Sequence, residues 1–174
     1  MPSEPLDAEA LRGLQAPLKA QYRAEPEAAV VTLSAEGDLS GAGLVCSVDT
    51  GRALVEAGLH PASGGDGLSA WSGDMLLEAL AACAGVTLKA VATALGIEVK
   101  GGTVKAKGEL DFRGTLGVDK EAPVGFRNIR LSFDLDAEIE PELKEKLLEL
   151  TERYCVVYQT LRNSPPTETE IALR

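Results

Sequence analysis

The strongest pattern in the chain runs over residues 72–96, where apolar side chains fall on almost every face of a helix. Ser72 is placed to cap its start, Asp74 lies in the first turn where a negative charge suits the helix dipole, and Gly96 stands where a left-handed C-terminal cap belongs. A span of about 20 apolar residues suffices to cross a bilayer. Glu78 and Lys89 leave only ten residues between charges, so the pattern predicts a central helix buried on most sides rather than a membrane span. Glu78, Ala82, Gly85 and Lys89 form one stripe, polar at its ends and small in the middle; Leu76, Ala79, Cys83, Val86, Thr87, Ala90 and Ala94 form the packing stripe. The low side-chain bulk of residues 81–85 lets another backbone approach closely, and a partner helix is expected there, from this chain or from a second copy.

Around this helix the periodicity alternates. Residues 28–34 and 39–48 read as two strands joined by turn residues 35–38, with Cys46 a small strand residue in the second. Residues 97–113 and 126–137 alternate as strands, with Gly101-Gly102 a turn or bulge in the first. Pro141 sits where a first helical residue belongs, and Leu143, Leu147, Leu150 and Tyr154 then share one face of an amphipathic helix whose wet side carries Lys144, Glu145, Glu149 and Glu152. Cys155 follows at its end. Pro165-Pro166 stops any helix and leaves residues 167–173 as an edge strand. Residues 1–27 form a peripheral segment in which Asp7 caps a short helix bearing Leu11, Leu14 and Leu18, and Pro17 must kink or end it.

Composition narrows the function. At 174 residues, 45% of them apolar, the chain supports one core and one domain. A net charge of −10 repels phosphate backbones, so nucleic acid is not an expected partner. Three cysteines are too few for a disulfide scaffold, which favours a reducing compartment. The first 25 residues hold four acidic groups and no export-signal pattern, so a cytoplasmic location is expected.

The chemistry-bearing residues are few. Residues 59–67 form an irregular loop containing His60, the chain's one histidine, a candidate base or cation whose bland reading is an ordinary loop residue. No phosphate-binding glycine motif can be written over that loop. One histidine and three scattered cysteines lack ligand spacing, so neither a metal nor another cofactor is expected. Cys83 and Cys155 are a candidate redox pair or two inert core thiols. A thiol with its ordinary pKa of about 8.5 is only a few per cent thiolate at neutral pH unless a cation or a helix N-terminus lowers it, and Cys83 sits in mid-helix.

The stretch Gly73-Asp74-Met75-Leu76-Leu77-Glu78-Ala79-Leu80-Ala81-Ala82-Cys83 resembles the first cysteine helix of the OsmC-like family, which includes the organic hydroperoxide resistance proteins, and Leu150-Thr151-Glu152-Arg153-Tyr154-Cys155 resembles its second cysteine segment. The likeness covers roughly residues 28–173, and residues 28–174 are expected to form the family's domain. It implies an α+β fold: an intertwined homodimer with central cysteine-bearing helices wrapped by antiparallel sheets. It further implies a thiol-dependent hydroperoxide reductase in oxidative stress defence, with Cys83 attacking an organic hydroperoxide, Cys155 capturing the sulfenic acid as a disulfide, and an external dithiol reducing it. In the hydroperoxide-resistance branch an arginine after the first strand, oriented by a glutamate ten residues before the first cysteine, activates the thiol. Here Gly73 stands at the glutamate's position, residues 35–38 contain no arginine, and Val156 replaces the proline after the second cysteine. Arg52 is the nearest basic candidate by sequence, with Asp74 or Glu78 to orient it. The rival reading is a non-enzymatic dimer of the same fold that binds a small apolar ligand, with both cysteines in its core.

Overall fold

A computed structural model describes residues 7–25, 28, 37–38, 45–49 and 54–173. Its helices are α1 (Ala8–Ala24), α2 (Ser72–Leu95), α3 (Phe112–Thr115), α4 (Pro141–Tyr154) and α5 (Val156–Arg162). Its strands are β1 (Gly37–Asp38), β2 (Val45–Asp49), β3 (Leu54–Gly58), β4 (Ala70–Trp71), β5 (Gly101–Leu110) and β6 (Phe126–Asp136). The fold is α+β. Strands β1 to β4 form one sheet in chain order, antiparallel except for the parallel β3–β4 pair, and β5 and β6 form a second, antiparallel sheet.

Helix α2 is the element around which the rest is arranged, touching α1, β4, β5, α4 and α5. Its buried side is Leu80, Ala84, Leu88, Val91 and Ala92, at helical three- and four-residue spacing. Leu88, Val91 and Ala92 join Ile97 and Leu147 in a core roofed by Phe133 and Leu135 of β6 and by Leu143 and Leu150 of α4. This face lies between the two stripes expected from sequence. The expected packing stripe is largely uncovered in the single chain: Val86 is 71% exposed and Leu76 37%, and Ala79 is exposed. Within this chain the small-residue run admits a strand on its Gly85 side and the α4–α5 corner on its Cys83 side. A Cβ added to Gly85 would lie 3.2 Å from Val104 of β5. The N-cap of α2 is Trp71, which makes no side-chain cap, and Ser72 is the first helical residue. Gly96 is the expected left-handed C-cap, at φ 72°.

Other boundaries moved for identifiable reasons. Helix α1 is capped by Asp7 as expected (Ala10 N–H to Oδ1, 2.8 Å), yet it runs past Pro17 to Ala24. The carbonyl that Pro17 leaves without a helical donor belongs to exposed Gly13, where water can serve it. The hairpin of β1 and β2 exists, but Gly37 and Asp38 are strand residues opposite Val48 and Ser47, not turn residues; residues 29–36, most of the expected first strand, lie outside the described residues. Cys46 is in β2 opposite Ala57. β3 and β4 flank the irregular loop of residues 59–67, in stretches where the pattern predicts no strand. Ile97 belongs to the end of α2, its N–H bonded to the Ala92 carbonyl, and β5 begins only at Gly101. Residues 167–173 are not a strand: no strand among the described residues pairs with them, and Ile171 and Leu173 stand 83% and 89% exposed. β6 and α4 fall where the pattern placed them, with Leu147 buried and Pro141 at the first turn; Tyr154, however, is 58% exposed.

Candidate active site

Cys83 lies midway along α2, and Cys155 sits at the joint between α4 and α5. Cys155 is in an extended conformation (φ −75°, ψ 108°). Its N–H still closes α4 on the Thr151 carbonyl at 3.0 Å, and its own carbonyl accepts the Gln159 N–H at 2.9 Å to open α5. Two side-chain bonds pin this corner: the buried Thr151 hydroxyl donates to the Leu147 carbonyl at 2.7 Å, and the Gln159 amide donates to the Glu152 carbonyl at 2.8 Å. Burial and the neighbouring Glu152 carboxylate push the Tyr158 hydroxyl up at the same corner.

The corner brings the two thiols together. The sulfurs are 3.3 Å apart, with the Cys155 thiol donating to Cys83, and both are free cysteines. Cys155 is 1% exposed whereas Cys83 is half-buried. Burial works against the Cys83 thiolate, but hydrogen bonds from the backbone of Val157, the Cys155 thiol, the backbone of Val156 and the Thr87 side chain outweigh it and hold Cys83 below the ordinary thiol range. Burial pushes Cys155 up, and the adjacent Cys83 sulfur adds to that, so the pair is an acidified, reachable sulfur beside a protonated, buried one. This asymmetry suits nucleophilic attack by Cys83 and proton donation by Cys155.

The remaining candidates lie elsewhere. Arg52 is outside the described residues. His60 stacks on Phe112 at 4.8 Å and meets Trp71 edge-on at 4.9 Å; its Nδ1 accepts the Ala62 N–H at 3.0 Å, which starts the short 3-10 turn Pro61–Ser63. It is therefore an aromatic packing and capping residue, and it is not among the groups that shift either thiol. Asp74 and Glu78 are exposed and line a shallow groove with Lys105 and Lys107 of β5. Gly73 has a physical reason: a side chain there would run into the Trp71 ring. Sequence reasoning missed Thr87 as one of the groups that lower the Cys83 thiol, although its position one turn on, at i+4, was the available signal. It also missed the Val156 and Val157 backbone, for which no sequence signal exists. Among the described residues no cluster of His, Cys, Asp and Glu fit to hold a metal occurs.

Residues 65–170, more than half of the chain, match the family model described as OsmC-like protein. No curated protein sequence matches the chain. The fold is similar to that of an OsmC-like protein from Mycoplasma pneumoniae, with 16% identity over 77% of this chain and 89% of that one and a TM-score of 0.63. It is also similar to organic hydroperoxide resistance proteins from Elizabethkingia anophelis (18% identity, 78% and 91% of the two chains, TM-score 0.54) and Bacillus subtilis (17%, 78% and 94%, TM-score 0.53). At these identities the structural likenesses establish the fold alone. Together with the family match they lead to one conclusion: the chain belongs to the OsmC-like family.

Proposed function

We propose that the protein is a homodimeric thiol peroxidase that reduces organic hydroperoxides at Cys83. The observation that carries this reading is the asymmetric pair: a half-buried, acidified Cys83 sulfur 3.3 Å from a buried, protonated Cys155. The Cys83 thiolate attacks the distal oxygen of ROOH, and the O–O bond breaks. Cys83 becomes a sulfenic acid, and the departing alkoxide takes the Cys155 proton to leave as ROH. The resulting Cys155 thiolate attacks the Cys83 sulfur and expels hydroxide, which is protonated to water. A disulfide needs a sulfur separation of about 2.05 Å, so the pair closes by little more than about 1 Å. An external dithiol then restores both thiols by exchange, itself becoming a disulfide.

The apolar setting of Cys83 on α2 favours a substrate with a hydrocarbon tail, each buried methylene adding about 0.8 kcal/mol. The uncovered apolar side of α2 supports a second copy of the chain as the partner that covers it. The test is dithiol-dependent consumption of cumene hydroperoxide. We expect a higher kcat/KM than for hydrogen peroxide and loss of all turnover in Cys83→Ser; equal or greater efficiency with hydrogen peroxide contradicts the substrate class.

A second reading, a non-catalytic binder of a small apolar ligand, draws on a groove of about 370 Å³ between α2 and the β5–β6 sheet, lined in part by Ala81, Gly85, Val104, Phe133 and Leu135. Thiols that stay reduced under excess organic hydroperoxide would favour it.

A further inference from the structure

We propose that the reduced pair of Cys83 and Cys155 is a chelating site for monosubstituted trivalent arsenicals, closing both sulfurs on one arsenic atom. The distance between the sulfurs selects the ligand. They stand 3.3 Å apart, and both thiols are free. A thiophilic centre about 2.3 Å from each sulfur, the usual length of a metal–thiolate bond, subtends roughly 90° across that gap. A tetrahedral centre with the same bond length holds its sulfurs about 3.8 Å apart, and a linear one about 4.6 Å. Trivalent arsenic bonds through three p orbitals near right angles, so it fits the pair with the least movement of either sulfur.

The number of ligands points the same way. Among the described residues no group of three His, Cys, Asp or Glu side chains suited to a metal forms, so a four-coordinate ion such as zinc would find only half its ligands here. An organic arsenical needs two, because its third bond is already to carbon. The two sulfurs also divide the work by access. Cys155 is 1% exposed and its backbone is held on both sides, the N–H on the Thr151 carbonyl and the carbonyl on the Gln159 N–H. Cys83 is half-buried and gives the arsenical its way in. Attack by the Cys83 sulfur on the arsenic of R–As(OH)2 forms one As–S bond and breaks one As–O bond. Cys155 then forms the second As–S bond and breaks the second As–O bond. Each hydroxyl leaves as water with one thiol proton, and arsenic stays trivalent, so no oxidant or reductant is consumed. The second bond closes within one molecule at a high effective concentration, which is the source of retention beyond what a single thiol gives.

The site requires only that the two thiols be reduced and adjacent, so it does not rest on the peroxidase reading. The probe is phenylarsine oxide, one equivalent per reduced native chain, followed by intact mass and peptide mapping. The chain should gain one phenylarsenic group as a bridge between Cys83 and Cys155, with the oxide's oxygen lost as water. The adduct should survive an excess of 2-mercaptoethanol and be released by 2,3-dimercaptopropanol. In Cys83→Ser and in Cys155→Ser, retention against the monothiol should fall by at least about a hundredfold. Cys46→Ser should retain the arsenical like the native chain. If a serine variant does not fold, native chain alkylated beforehand with iodoacetamide carries the same expectation of loss without any substitution. Native chain that holds the arsenical no better than the single-serine variants or the alkylated chain, or a folded Cys46→Ser variant that loses it, overturns the proposal. Where hydroperoxide is consumed, the bridged adduct should stop it. A retained adduct in a protein that never consumes hydroperoxide leaves the site standing and overturns the peroxidase reading. Consumption of hydroperoxide by a protein that does not retain the arsenical overturns the site alone.

Discussion

Hydrogen bonds hold the Cys83 thiol below its ordinary range, and under the proposed peroxidase chemistry that has a pH signature. A lowered thiol pKa means that the reactive form is present at lower pH than for an ordinary cysteine, so hydroperoxide consumption should rise with pH and level off below the midpoint of a free thiol of about 8.5. A profile of kcat/KM against pH that levels off only above that value would contradict the account. Replacing Cys155 with Ser should leave one turnover per Cys83 and let the sulfenic acid persist on its way to sulfinic acid, visible by mass as successive oxygen additions. Both cysteines were legible from the sequence. Their contact was implied only by resemblance, because 72 residues separate them and no local pattern encodes the α4–α5 corner. The roles of His60 and Gly73 were illegible for a related reason: each is explained by Trp71, whose ring fills space that residue types alone do not reveal.

At the scale of elements, the close approach of α2 to β5 makes Gly85 sensitive. Gly85→Leu should overpack against Val104 and cost about 1–3 kcal/mol, read as a lower midpoint of urea unfolding. Leu147→Ala, at the centre of the core, should cost about 2–5 kcal/mol in the same measurement. Near α3, the hydrogen bond from Arg113, with added charge from Arg127, holds Asp111 at about 2, below the usual 3.8. Its folded value is depressed, so its contribution is complete above about pH 4 and is lost as pH falls toward 2. The thermal midpoints of the native chain and Asp111→Asn should converge over that window. The elements with long, regular periodicity were legible: the end of α2 at Gly96, β6 throughout, and α4 from Pro141. The misses share a cause in tertiary partners. β3 is five residues containing Ala57 and Gly58 and is a strand because β2 lies beside it; residues 167–173 alternate like a strand but have none to pair with among the described residues.

For the whole molecule, the uncovered side of α2 sets the expectation of assembly. Val86 and Leu76 are exposed on the helix that otherwise carries the core, and α2 is long and apolar enough to cross a membrane by length and composition. Its packing against β5, α4 and α5 makes it a core helix with one side left open. At micromolar concentration the native mass should be twice 18.2 kDa, and because the covering contact is apolar it should persist in high salt. A sharp monomer mass would contradict the dimer. The central claim concerns the two sulfurs, and one measurement reaches it directly: peptide mapping under non-reducing conditions after one equivalent of cumene hydroperoxide. The account predicts a single cross-linked peptide joining Cys83 to Cys155. Cys83 and Cys155 peptides recovered as unmodified thiols would contradict it.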